Sequence, residues 1–133
     1  MPRTTSGPLL IAALIYCAAS LVHFVHNAEF LQDYPNMPES LTRWGVYAAW
    51  IAVTVVGVSG FAAYKFAARR TGLVLLAMYA ALGYAGLDHY VVAPVSAHSL
   101  LMNATIVLEV LTASILLWVV VRLLLRNPAT INH

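Results

Sequence analysis

Four apolar runs, each near the length that crosses a bilayer, leave this chain little choice of fold. A helix rising 1.5 Å per residue needs about 20 apolar residues to cross ~30 Å of hydrocarbon. Runs at about 8–27, 44–64, 71–92 and 98–121 meet that length, and most of the charges fall at their ends. Charged residues make up 9% of the chain and hydrophobic residues 62%, against about 25% and 45–50% in soluble domains. A chain this apolar is not solvated on every side. A spanning β-barrel needs many more segments of alternating polarity, and open sheet edges do not sit in lipid. The expected fold is therefore all-α, an integral membrane four-helix bundle forming a single transmembrane domain over residues 1–133.

Local signals set the expected boundaries. Pro8 suits a first helical turn, where its missing N–H costs nothing. Pro94 ends the third run, so the short link from Ala93 to Ala97 makes the third and fourth helices an antiparallel hairpin. The one long connection, an outer loop over 28–43, holds Tyr34-Pro35-Asn36-Met37-Pro38 and is turn-rich. Pro38-Glu39-Ser40-Leu41-Thr42 is expected to open a short interfacial helix leading into Trp44. Trp44, Tyr47 and Trp50 at the outer end, with Tyr64 and Trp118 near the inner end, fit an interfacial aromatic belt.

Orientation follows from the basic residues. Arg3, Lys65, Arg69, Arg70, Arg122 and Arg126 share one side of a four-crossing arrangement, and only Arg43 takes the other. Basic residues mark the cytoplasmic side, which puts both termini in the cytoplasm of an inner-membrane protein. Glu29, Asp33 and Glu39 fall in the opposite loop. The first run is expected to be retained as a helix rather than cleaved as a signal, because His23 and His26 stand where a cleavage site needs small residues. The tail from Asn127 to His133 reads as solvated.

Other classes are excluded early. A net charge of +2 without a basic face gives no footprint for nucleic acid. Cys17 is the single cysteine, so no intramolecular disulfide forms, and it reads as a small core residue. Phosphate-binding loops, nucleophile elbows and the doubled Glu-x-x-His repeat of di-iron bundles are absent. Gly57 and Gly60, and Gly83 and Gly86, allow helices to approach closely.

Four of the five histidines carry the functional expectation. His23 and His26 lie near the outer end of the first helix, His89 at the outer end of the third, and His98 at the start of the fourth. All four reach one layer. At 100° per residue His23 and His26 are about 60° apart and can face one point. Tyr16, Ser20, His23 and Asn27 make a polar stripe on the first helix, and His98, Met102, Thr105 and Glu109 make another on the fourth. On the third, Tyr84 and Asp88 share a face. Neutral imidazole is a common ligand of Zn, Fe and Cu, so His23, His26, His89 and His98 are the expected metal ligands. Asp88, Glu29 or Asn27 would complete or orient the set, with Asp88 and Glu29 as the candidate acid or base.

Glu109 falls near the centre of the fourth helix, and hence of the membrane. A lone carboxylate there costs several kcal/mol, roughly, and no Lys or Arg is expected at its depth, so a protonated carboxylic acid with a raised pKa is expected. Tyr16, Ser20, Tyr79 and Tyr84 are its expected neighbours across the bundle. Because Glu109 lies about 16 Å along the stripe from His98, the two are not expected to bind one ion. Thr105 and Tyr84 would line a path between them.

The leading expectation is thus a membrane metalloprotein with a Zn, Fe or Cu site at its extracytoplasmic side. As an enzyme it would be a hydrolase or oxidoreductase acting on a lipid-like substrate from the bilayer, and the sequence does not separate enzyme from carrier. Three alternatives remain open: a haem b cytochrome with two axial histidines, a proton- or cation-coupled transporter using Glu109, and an accessory subunit of a larger membrane complex.

Overall fold

A computed structural model describes residues 6–126. Arg3 and the tail from Asn127 to His133 lie outside the described residues. The chain folds into helices α1 (Gly7–Glu29), α2 (Arg43–Phe66), α3 (Arg69–Leu82), the short α4 (His89–Val92) and α5 (Leu100–Arg126). A 3-10 segment over Gly83–Asp88 joins α3 to α4, so Arg69–Val92 forms one 24-residue span. Among the described residues four helical spans are long and apolar enough to cross a membrane, the arrangement of a multi-pass membrane protein.

α1 shows why these residues choose that solvent. Leu9, Ala12, Tyr16, Ala19, Ser20, His23 and Asn27 recur at helical spacing and are buried, whereas Ile11, Leu14, Ile15 and Val22 on the other faces stay exposed. An outside as apolar as the inside suits lipid, and the few polar residues turn inward. α2 is the outlying helix, burying only Val46, Gly57 and Gly60. The Thr42 hydroxyl caps it, accepting from Gly45 N–H at 3.0 Å. The expected interfacial helix at Pro38 is instead a turn closed by Leu41 N–H on the Pro38 carbonyl at 3.0 Å.

Glycines set the spacing between α2 and α3. A Cβ on Gly72 would stand 2.2 Å from the backbone nitrogen of Tyr64, and one on Gly57 would stand 2.7 Å from the Tyr79 ring. Only hydrogen fits at either position, so the two helices form a tight hairpin across Ala67 and Ala68.

The third span departs from the continuous helix expected over 71–92. Gly83 and Gly86 weaken the α-helix there, and Gly83 packs where a Cβ would meet Ala113 and the Tyr16 hydroxyl at 2.7 Å. The tighter 3-10 winding turns Gly86 toward α5 and buries His89. It also leaves Asp88 exposed and Tyr84 only partly buried, so these two do not share an inward face.

The fourth helix also starts later than expected. Pro94 is followed by a 3-10 turn over Val95–Ala97, and His98 is extended. The Ser99 hydroxyl accepts from Met102 N–H at 3.2 Å, and Asn103 donates to the carbonyls of Val95 and His98, each at 3.2 Å. His98 is therefore held by the cap of α5 rather than by its helical stripe.

The core divides by chemistry along the bundle. Leu9, Leu73, Leu76, Leu116 and Val120 fill the half nearest the chain ends, below Tyr16 and Tyr79, whose rings meet at 4.6 Å. The half beneath the long loop buries Ser20, His23, Asn27, His89, His98, Thr105 and Glu109.

Candidate functional site

The polar half of the core is built around His23 and Glu109. α1 carries His23 inward with its Nε2 atom 3.6 Å from Glu109 Oε2 on α5, and both side chains are buried. Gly86 supplies the wall beside them. A Cβ there would lie 3.0 Å from Glu109 Oε2 and 4.0 Å from His23 Nε2. Tyr16 and Ser20 lie on the same side of α1 toward Glu109. The Tyr16 and Ser20 hydroxyl oxygens are buried without a hydrogen-bond partner.

Hydrogen bonds determine which imidazole nitrogens carry protons. Thr105 commits its single hydroxyl proton to the Met102 carbonyl at 3.0 Å, so its oxygen accepts from His23 Nδ1–H at 3.3 Å. Neutral His23 then presents an unprotonated Nε2 to Glu109. His98 Nδ1–H donates to the Pro94 carbonyl at 3.0 Å, so in the neutral ring Nε2 is a lone pair, buried without a partner. Asn27 Nδ2 donates to His89 Nε2 at 3.3 Å. Three imidazoles thus carry lone pairs within one buried layer.

Their rings are close neighbours. His23 and His89 stand edge to face with centroids 5.5 Å apart, and His89 and His98 stand likewise at 6.0 Å. Tyr34 closes the layer from the loop side, its ring 4.9 Å from that of His89 and 6.4 Å from that of His98. Its hydroxyl shares a 2.9 Å hydrogen bond with His26 Nδ1. Asn36, in the left-handed region at φ 56°, anchors the same loop by donating to the Val92 carbonyl at 2.9 Å. Burial pushes the Tyr34 phenol up to about 12, so it stays protonated near neutral pH.

The candidate residues sort clearly. His23, His89 and His98 come together as expected, while His26 parts from His23 and pairs with Tyr34 at the rim. Glu29 is engaged elsewhere: Arg43 lies 2.7 Å from its carboxylate and Tyr47 donates to it at 2.5 Å. Asp88 is exposed beside a surface cleft lined also by Asn27, Met37 and His89. Tyr84 bonds Ser114 at 2.7 Å. Tyr16 is fully buried against Tyr79.

Among the described residues, no three His, Cys, Asp or Glu side chains stand in a formed metal-binding arrangement. Compared with known proteins, the chain matches no family model, no curated protein and no solved structure.

Two features were missed in reading the sequence. Glu109 was placed by its distance from His98, but its close neighbour is His23. α1 and α5 run antiparallel, and six residues back from Glu29 and nine on from Leu100 correspond to depths of about 9 and 14 Å, a difference of about one helical turn, so residue counts alone do not pair them. Tyr34 gave no signal, because a loop tyrosine reads as solvated until its burial is seen.

Proposed function

We propose that this membrane protein binds a transition-metal ion of the Zn, Fe or Cu class in the buried layer under the long loop. Nitrogens of His23, His89 and His98 are its donors, and the Glu109 carboxylate, too far along α5 from His98 to share the ion with it, lies against His23 Nε2 and balances the ion's charge. The observation carrying this reading is the pair of imidazoles, His23 and His98, whose Nδ1–H groups are each held by an oxygen. That is how an outer hydrogen bond orients a metal-binding histidine, fixing the tautomer and aiming Nε2 at the ion.

Three further features support it. An unpaired buried nitrogen such as His98 Nε2 costs about 1–3 kcal/mol, and a bound ion would offset that. Two imidazoles on one ion put their ring centres roughly 5–6.5 Å apart, and the observed separations are 5.5 and 6.0 Å. Gly86 leaves a cradle beside Glu109 Oε2 and His23 Nε2 that any Cβ would narrow. Binding would require His89 to exchange its Asn27 hydrogen bond for the ion, drawing the donors to one point.

The haem alternative is disfavoured by the grouping of the rings. Haem would need only two of these imidazoles, whereas three lie together in this layer. Transport through Glu109 and static binding would use this same site, since Glu109 faces His23 directly. An ion held here would be a Lewis acid toward a lipid-like substrate or a cargo in transit.

Metal analysis of the protein purified in mild detergent tests this reading, before and after exposure to Zn, Fe and Cu ions. About one ion per chain is expected. Protein that stays metal-free after reconstitution refutes it.

A further inference from the structure

A separate cavity lies at the opposite end of the bundle. Between α1 and α2 runs an apolar cleft of about 240 Å³ lined by Leu10, Leu14, Cys17, Val58, Phe61 and Phe66. From Leu10 to Cys17 it is about 10 Å long, by the rise of a helix. Its floor is the Tyr79 ring, admitted because Gly57 has no side chain. The cleft opens on the lipid side, where Val58 and Phe66 are exposed.

What distinguishes this cleft from an ordinary groove between helices is the charge at its mouth. Phe66 ends α2, and Lys65 and Arg70 lie within four residues of it across the hairpin. Lys65 also reaches α1, donating to the Ser6 hydroxyl at 3.1 Å. Arg69, Arg122 and Arg126 belong to the same end, whereas none of the five acidic residues, Glu29, Asp33, Glu39, Asp88 and Glu109, lies there. An apolar slot continuous with an acid-free basic rim matches a molecule with an apolar tail and an anionic head.

We propose that the α1–α2 cleft is a binding slot for an anionic phospholipid, with one acyl chain lying in the cleft and the headgroup against Lys65 and Arg70. Lys and Arg at the headgroup level attract anionic lipid, and the slot adds apolar contact that does not discriminate between headgroups. Specificity therefore comes from the head and residence from the tail. The lipid would also fill the seam that leaves α2 with so little buried surface.

Native mass spectrometry of the full chain in mild detergent tests this, with phosphatidylglycerol and phosphatidylcholine of identical acyl chains as probes. The expected result is one retained phosphatidylglycerol, favoured about 10-fold or more over phosphatidylcholine. Lys65→Gln with Arg70→Gln should abolish the preference without touching the cleft. Ala62→Trp, which fills the cleft from its exposed side, should abolish retention of both lipids while circular dichroism shows unchanged helix. Equal retention of the two lipids by the unaltered chain, or phosphatidylglycerol retained by Ala62→Trp, overturns the proposal.

Discussion

His23 Nε2 stands 3.6 Å from Glu109 Oε2, each side chain at most 3% exposed, in the polar half of a bundle whose other half is apolar. With Thr105 holding the Nδ1 proton, a carboxylate and a lone pair would face each other across that gap. Two such groups repel unless a proton or a metal ion lies between them.

Replacing Glu109 by Gln removes the charge and keeps the shape. The amide can donate to His23 Nε2, so the variant should fold and extract like the unaltered protein. Its metal affinity, measured by competition with a chelator, should fall at least about 10-fold. An unchanged affinity would mean that Glu109 does not balance the ion's charge.

Two glycine substitutions should separate site from scaffold. Gly86→Ala places a methyl 3.0 Å from Glu109 Oε2, against the flexible end of a side chain. It should weaken metal binding about 10-fold or more and cost only about 1 kcal/mol of stability. Gly72→Ala drives its methyl into the Tyr64 backbone at 2.2 Å. That clash should part the α2–α3 hairpin and cost about 3 kcal/mol or more, read as a lower thermal midpoint in detergent. Equal effects of the two on stability would contradict this assignment.

Tyr34 should titrate late. Burial raises its phenol from 10.0 to about 12 in the folded protein. A folded value above the unfolded one means its contribution to stability is complete below about pH 10 and is lost as the pH rises through about 12. The difference between the ultraviolet phenolate titrations of the unaltered protein and Tyr34→Phe should show one group ionising near the upper value. A difference centred near 10 would mean that Tyr34 is not buried. Tyr34→Phe also loses the hydrogen bond to His26, at about 1 kcal/mol.

The orientation expected from the basic residues can be tested by labelling. In a Cys17→Ser background, Asp33→Cys should react with an impermeant thiol reagent from outside the cell, and Ala67→Cys should react only after the cells are opened. The reverse pattern would invert the bundle and place the histidine layer at the cytoplasmic face.

The length of the apolar runs made the four spans legible, because in lipid every apolar run of sufficient length must become a helix. Boundaries at the third and fourth spans were not legible. The 3-10 winding from Gly83 depends on a tertiary contact, the closeness of Gly83 to Ala113 and Tyr16, which no local pattern encodes. His23, His89 and His98 lie together in one layer, and position along a span is the signal that suggests such a grouping. Rotation was harder to read. His26 lies about 60° from His23 by helical geometry, yet it meets Tyr34, whose burial depends on where a loop folds back. Glu29 went to Arg43 and Tyr47 because α2 begins beside the end of α1, an arrangement that a sequence motif does not record.

The most direct test of the central claim is metal stoichiometry measured side by side on the unaltered protein and on a His23→Ala, His98→Ala variant after identical reconstitution. The account predicts about one ion per chain in the first and none in the second, at equal helix content. An unaltered protein that binds no ion, or a variant that retains it, would contradict the account.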